Sequence, residues 1–282
     1  MSDITALTGK LNALCDAQPW VTSWYFKDLE TGEESDRAGN VVIPSASTRK
    51  IAILMSALRA VNEGRFDLDQ MVKIKAKYQD NNSGTFQHLS SGFSLTFQDL
   101  LVMMIIVSDN TSTGTIADMV GLNEINQFCQ SIGMVGTTHR HVIPPNNMPR
   151  DHKLEEANTT TPNDVGLLLD LIVKGMSDEE TAARLGCTPE LCQLGMDILS
   201  WQKLRARMPA YLPEGTKVAH KTGTARRGYN DAGVIFRNDK PRYILTVYTD
   251  QVPVEAPDGL PGATAAGQLI AKLARTCWDA LD

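Results

Sequence analysis

Strand-like sequence at the two ends of the chain and helix-like sequence through its middle predict an α+β fold. The expected architecture is an antiparallel five-stranded sheet flanked by helices, with an all-α insert between its first and last strands. Three observations carry this. Residues 21–27 (Val-Thr-Ser-Trp-Tyr-Phe-Lys) are rich in β-branched and aromatic side chains, and a short second strand is expected before residue 41. Beyond Pro213 three more stretches read as strands, 217–224, 231–236 and 242–249, with Asn238-Asp239 as the turn between the last two. Between these ends the apolar residues recur at helical spacing. The expected division is a discontinuous α/β part, residues 1–42 and 212–282, and an all-α part, residues 43–211.

In chain order, residues 4–17 form an amphipathic helix with Ile4, Leu7, Leu11 and Leu14 on one face. Residues 28–33 carry turn chemistry, with Gly32 free to take positive φ. An apolar helix runs from Ile51 and ends near Gly64. Residues 67–77 are polar and mixed, and 79–92 read as loop. Thr96 caps a helix through Leu100, Leu101, Met103, Met104 and Ile105 to Val107; it is apolar nearly all round and so belongs in the centre. A further helix starts near Thr111 or Thr113, and another covers 122–132. Residues 134–161 form the longest irregular stretch, with three prolines and His139, His141 and His152; so long a segment is usually functional or mobile. Thr161-Pro162 opens a Leu-rich helix, a second helix holds Leu194, Ile198, Leu199 and Trp201, and 263–281 is a long terminal helix.

Composition narrows the function. The 282 residues are 42% hydrophobic and 21% charged, ordinary for a globular protein. A net charge of −6 offers no electrostatic footprint for nucleic acid or an anionic membrane. No apolar run approaches a membrane span, and the first residues lack the basic and apolar regions of a secretory signal. The five cysteines are odd in number and match no metal framework, so they read as reduced, mostly buried thiols. No metal or cofactor is expected. The cytoplasm is the expected compartment, with the periplasm or exterior as the alternative if a leader has been removed.

Ser47-Thr48-Arg49-Lys50 stands at the head of the helix that runs from Ile51. A serine at a helix start is usually a cap, which accounts for Ser45 or Ser47 but not for Lys50, a charge in an apolar segment. Residues three apart share a helix face. A desolvated ammonium there gives up its proton and becomes a base able to activate a hydroxyl. Two other segments are ambiguous alone. Ser108-Asp109-Asn110 consists of capping types, and Lys221-Thr222-Gly223 ends a strand in a turn. His220 reads as a strand side chain on the outer face. Arg226 and Arg227 read equally as a bidentate carboxylate clamp or as a solvated turn.

Taken in order, S-x-x-K, S-D-N and K-T-G are the motif set of class A β-lactamases and penicillin-binding proteins. The chain resembles the class A β-lactamase-like family of serine hydrolases over nearly its whole length, including Asn158-Thr159-Thr160-Thr161-Pro162 and Arg205-Ala206-Arg207-Met208-Pro209. The resemblance implies a β-lactamase/transpeptidase-like fold with the active site between its two parts. It implies that Ser47 attacks an acyl carbonyl to form an acyl-enzyme, that Lys50 takes the serine proton or holds the base that does, and that Ser108 relays a proton to the leaving nitrogen. Asn110 would hold Lys50 and the substrate amide. Lys221, with Thr222, Gly223 and Thr224, would attract a substrate carboxylate, and the backbone N–H groups of Ser47 and Thr224 would hold the oxyanion.

The chain departs from the family at one place. β-Lactamases of this type deacylate with a glutamate in an E-x-x-L-N pattern in the long loop before the T-T-x-P helix. Here the acids of that loop are Asp151, Glu155 and Glu156, which read either as a negative cluster near a helix N-terminus or, for Glu155 or Glu156, as a relocated base. The expected activity is cleavage of a cyclic or linear amide, a β-lactam or another small lactam. The alternatives are a non-β-lactam esterase or peptidase, or a β-lactam-acylated binding protein without efficient turnover.

Overall fold

The computed structural model describes residues 4–145 and 147–281. The chain opens with α1 (Ile4–Asp16), then β1 (Val21–Asp28), β2 (Glu34–Arg37) and the short β3 (Ile43–Pro44). A 3₁₀ turn, Ala46–Arg49, leads into α2 (Lys50–Asn62). Next come β4 (Met71–Lys73), β5 (Ser94–Thr96), α3 (Phe97–Ile106), α4 (Asn110–Val120) and α5 (Leu122–Ile132). The second half holds β6 (Thr159–Thr160), α6 (Pro162–Gly175), α7 (Glu179–Arg184), α8 (Pro189–Ser200), β7 (Val218–Thr224), β8 (Tyr229–Arg237), β9 (Lys240–Asp250) and α9 (Gly262–Ala280). No helix among the described residues is long and apolar enough to cross a membrane.

The main sheet has five antiparallel strands in the order β2-β1-β9-β8-β7, as the strand signals at the two chain ends predict. The two terminal segments interleave because β1 pairs with β9 along its whole length, from Val21 opposite Asp250 to Asp28 opposite Tyr243. Alternate side chains of a strand leave opposite faces. Trp24 and Phe26 of β1, with Tyr243, Leu245 and Val247 of β9, meet Leu7 and Leu11 of α1 and Leu269, Ile270 and Leu273 of α9. Tyr25, Ile244 and Tyr248 face the other way, into the larger core built from α2, α3, α5, α6 and α8. With both faces covered, the central strands are apolar almost continuously, which is why they are legible in the sequence. All five cysteines are buried and free.

Local chemistry explains most boundaries. Thr96 caps α3 as expected, accepting from the Asp99 N–H at 3.0 Å. Thr161 caps α6 with Pro162 in its first turn, where a missing N–H costs nothing. Asn238 and Asp239 both take positive φ, 50° and 61°, as a two-residue hairpin turn requires. Some expectations are corrected. Neither Ser45 nor Ser47 caps α2 through its side chain; the chain enters that helix through the 3₁₀ turn. Helix α4 starts at Asn110 rather than near Thr111 or Thr113, because Asp109 caps it by accepting from the Ser112 N–H at 2.8 Å. The mixed stretch 67–77 contains β4, which pairs with β5.

Candidate active site

The turn that carries Ser47 is held on three sides. Ser45 donates through its backbone N–H (2.9 Å) and its hydroxyl (3.0 Å) to the Asn158 carbonyl, next to the β3–β6 pair. Thr48 Oγ1 donates to the Ser45 carbonyl at 2.6 Å and accepts from the Tyr248 hydroxyl of β9 at 2.9 Å. From the third side β7 presses so close that a Cβ at Gly223 would lie 3.1 Å from each of Ala46 Cβ, Ser45 O and Thr48 Cγ2. Ala46 takes a left-handed conformation, φ 46°. Thr48, Arg49 and Lys50 are consequently buried, while Ser47 stays half-buried at the edge of a cleft.

Lys50 lies at the floor of that cleft with its amine 2.8 Å from the Ser108 carbonyl, 2.8 Å from Asn110 Oδ1 and 3.1 Å from Ser108 Oγ. Burial pushes its pKa far below the usual lysine value, and the charges of Lys221 and Arg49 push it further, against the pull of Asp109. The amine donates to all three of these oxygens.

The S-D-N segment presents these oxygens because its middle residue anchors it. Asp109 Oδ2 accepts from the backbone N–H groups of Thr85 (2.8 Å) and Phe86 (2.9 Å) while its Oδ1 caps α4. Ser108, at φ 59°, turns its carbonyl to Lys50, and Ser83 Oγ also donates to that carbonyl at 3.0 Å. The Asn110 N–H donates to the Ser83 carbonyl at 2.9 Å. The capping reading therefore holds for Asp109, and that cap sets Ser108 and Asn110 against the Lys50 amine.

Lys221 is fully buried in β7, and its amine donates to the Thr222 carbonyl at 2.8 Å. Burial pulls its pKa down to about 7; the Asp231 carboxylate opposes this and the Arg207 guanidinium reinforces it. Asp231 also accepts from the Met208 N–H at 3.1 Å and lies 2.9 Å from His220 Nδ1. His220 is thus not an outer-face side chain as expected from the strand pattern; it is fully buried within β7 itself, next to Lys221, where it meets Asp231 of β8. Arg207 ties down the end of β7. Its Nη1 donates to the Gly223 and Asn230 carbonyls and its Nη2 to Thr224 Oγ1, each at 2.7 Å. Sequence reasoning did not single it out, and its only signal was its place in Arg-Ala-Arg-Met-Pro.

The cleft has a volume of about 390 Å³. It brings together Ser47, Lys50, Ser108, Asn110, Thr222, Thr224 and Arg226; Lys221 stands behind Thr222, and Gly223 behind the turn of Ser47. Arg226 Nε donates to the Met148 carbonyl at 2.9 Å. Arg227 is engaged elsewhere, bidentate to Asp250 at 2.7 and 3.2 Å and bonded to the Arg150 carbonyl at 3.2 Å. Arg150 in turn donates to the carbonyls of Arg226 and Val252, so the two arginines clip the long 134–161 segment to the end of the sheet. Glu155 and Glu156 are exposed and do not line the cleft; Glu156 Oε2 accepts from the Lys153 N–H at 3.1 Å and caps its own turn. Pro144, Pro145, Met148, His152, Ala157 and Asn158 form the wall on that side, and among the described lining residues there is no aspartate or glutamate.

Known proteins resemble this chain in sequence and in fold. The profile described as the β-lactamase enzyme family matches residues 6–281. The chain is 26% identical over 238 residues to β-lactamase BRO-1 of Moraxella catarrhalis, a match covering 79% of this chain and 68% of that protein. Its fold superposes with TM-score 0.84 on the β-lactamase from Sphaerobacter thermophilus, at 26% identity, covering 99% of this chain and 98% of that one. It superposes with TM-score 0.83 on a mutant of PBP-A, a leucine replaced by glutamate, solved as the acyl-enzyme complex with penicillin G (27% identity, 98% and 96% of the two chains). The chain belongs to the β-lactamase enzyme family of serine hydrolases.

Proposed function

We propose that the chain opens β-lactams or closely related small lactams through an acyl-enzyme on Ser47, and that it releases the acyl group slowly. The observation that carries the first part is the placement of the Lys50 amine against Ser108 and Asn110 at the floor of the cleft that Ser47 borders. The neutral amine accepts the Ser47 hydroxyl proton as Oγ bonds to the lactam carbonyl carbon. Collapse of that adduct breaks the C–N bond, and the leaving nitrogen takes a proton from Ser108 Oγ, which Lys50 resupplies. Backbone N–H groups of Ser47 and Thr224 receive the oxyanion, and Lys221 with Thr222, Thr224 and Arg226 draws the carboxylate beside the lactam. The penicillin acyl-enzyme of the PBP-A mutant supports a β-lactam as the acylating class.

The second part rests on the lining of the cleft. Hydrolysis of the ester needs a base to activate water, and no carboxylate is among the described lining residues. Intact mass spectrometry after mixing with benzylpenicillin, and separately with a fluorophosphonate, tests both parts. A penicilloyl adduct that persists and is missing from Ser47→Ala is the expected result. No adduct with either reagent would refute the nucleophile; a penicilloyl adduct that vanishes with product accumulating would refute slow release.

A further inference from the structure

Of the three histidines in the 134–161 segment, His152 alone lines the cleft. It is 5% exposed, and its Nδ1 lies 3.1 Å from the Lys153 carbonyl. A carbonyl only accepts, so the ring proton sits on Nδ1 and the lone pair of the neutral imidazole on Nε2. That Nε2 has no hydrogen-bond partner among the described residues and is open, whereas both ring nitrogens of His139 and Nε2 of His220 are sealed. The Nε2 of His141 is engaged, 2.9 Å from the Glu156 carbonyl. The wall that carries His152 is bonded directly to the turn of the nucleophile. Residues 154–156 form a 3₁₀ turn, closed by the Lys153 N–H on Glu156 Oε2. Just beyond it, the Asn158 carbonyl accepts from the backbone N–H and the hydroxyl of Ser45, two residues before Ser47. On the other flank Arg150 holds the Arg226 and Val252 carbonyls, so His152 stands in a stretch tied down at both ends.

Release of an acyl group from Ser47 needs a base beside the ester, since water attacks poorly until its proton is taken. Among the described lining residues the nitrogen bases are few. Arg49 and Arg226 keep their protons, and the Lys50 amine is engaged with three oxygens. His152 Nε2 is the remaining nitrogen with a free lone pair. We propose that His152 is the general base of deacylation, and that the slow release of the acyl group runs through it. This role presupposes the acyl-transfer reading given above. A water between Nε2 and the ester gives a proton to Nε2 as its oxygen bonds to the acyl carbon. The adduct then collapses, the bond from the acyl carbon to Ser47 Oγ breaks, and the imidazolium returns the proton to Oγ. The products are a free carboxylic acid and the starting enzyme. The Lys153 carbonyl fixes the tautomer but brings no negative charge to the imidazolium that forms, in keeping with slow rather than rapid release.

The lifetime of the penicilloyl-enzyme, followed by intact mass after excess benzylpenicillin is removed, tests this. His152→Asn keeps an N–H where Nδ1 stands and removes the lone pair, and His152→Ala removes the whole ring. In both, the lifetime should lengthen about a hundredfold, the low end of what a general base is worth. Imidazole added to His152→Ala should shorten the lifetime by a larger factor than the same addition to the wild type, because the variant has room for the ring. Melting temperatures show which variants are folded, and His152→Gln replaces any that is not. A lifetime indifferent to these substitutions would overturn the role of His152 and leave acyl transfer by Ser47 standing. A long lifetime in His152→Ala with a wild-type lifetime in His152→Asn would also overturn it, and would make the ring a structural prop of the wall. A wild type acylated by neither benzylpenicillin nor p-nitrophenyl acetate would refute the acyl-transfer reading itself, and the deacylation role would fall with it.

Discussion

The Lys50 amine sits 2.8 Å from Asn110 Oδ1, joining the head of α2 to the head of α4 across the floor of the cleft. Asn110 is in place because Asp109 caps α4 just before it, so a residue that stabilises a helix also aims one that touches the base. If the neutral amine takes the Ser47 proton, a side chain that stays charged there abolishes the step. Arginine keeps its proton at all working pH values. Lys50→Arg is therefore expected to slow acylation by about 10²–10⁴-fold, the usual worth of a general base. Stopped-flow acylation by a chromogenic cephalosporin measures it, and a wild-type rate in the variant would remove Lys50 from the role of base.

The exposed positions of Glu155 and Glu156 lead to a second expectation. Glu156 is occupied with the Lys153 N–H, and neither carboxylate reaches the wall beside Ser47. Glu155→Gln and Glu156→Gln, alone and together, should leave the lifetime of the penicilloyl-enzyme unaltered when followed by mass over time. A longer-lived adduct in either variant would show that this segment moves a carboxylate into the cleft after acylation.

What was legible in the sequence follows from what is local. Strands covered on both faces announce themselves as continuous apolar runs, so β1, β8 and β9 are readable without structure. The three motifs converge on one cleft, and each lies near an end of its element: Ser47 and Lys50 at the head of α2, Ser108 and Asn110 at the head of α4, and Lys221 to Gly223 toward the end of β7. Contacts made across the fold were not legible. Arg49 looked like one more residue between Ser47 and Lys50, and nothing in its surroundings in the chain reveals that its guanidinium is buried and bonded to the Val142 carbonyl. The His220–Asp231 pair joins two adjacent strands, and alternation along β7 alone put His220 on the outside. Arg227 looked like a candidate clamp because its partner, Asp250, lies 23 residues further on.

Gly84 links the loop before β5 to the S-D-N segment. It takes φ +94°, and a Cβ there would fall 2.3 Å from both Asp109 Cα and Asp109 Oδ2. An L-residue is strained in that conformation, and the atom it would strike is backbone. Gly84→Ala is expected to lower stability by about 1–3 kcal/mol, the usual cost of such strain, and the clash adds to it. Because the displaced group is Asp109, Ser108 and Asn110 move with it, and acylation should slow in the fraction that remains folded. Denaturant melts and acylation rates on the same preparation test this; a variant as stable as the wild type would show that the loop yields without disturbing Asp109.

Lys221 gives the pH dependence. Its pKa in the folded protein is about 7, against an ordinary 10.5. Between those values the unfolded chain holds a proton that the folded protein has released, so stability should increase as pH rises through that window. Below about 7 both states are protonated, and the full cost of burying the ammonium remains, eased by Asp231 and worsened by Arg207. Binding runs the other way. The charge that draws a substrate carboxylate is lost above about 7, so the acylation constant for a carboxylate-bearing β-lactam should fall on the alkaline side of that value. In Lys221→Arg the charge persists, and this limb should vanish while the Lys50-dependent limb stays. Acylation constants measured from about pH 6 to 9 for both proteins check the assignment. An alkaline limb that survives in Lys221→Arg would belong to another group, and a flat wild-type profile would mean that Lys221 remains charged throughout.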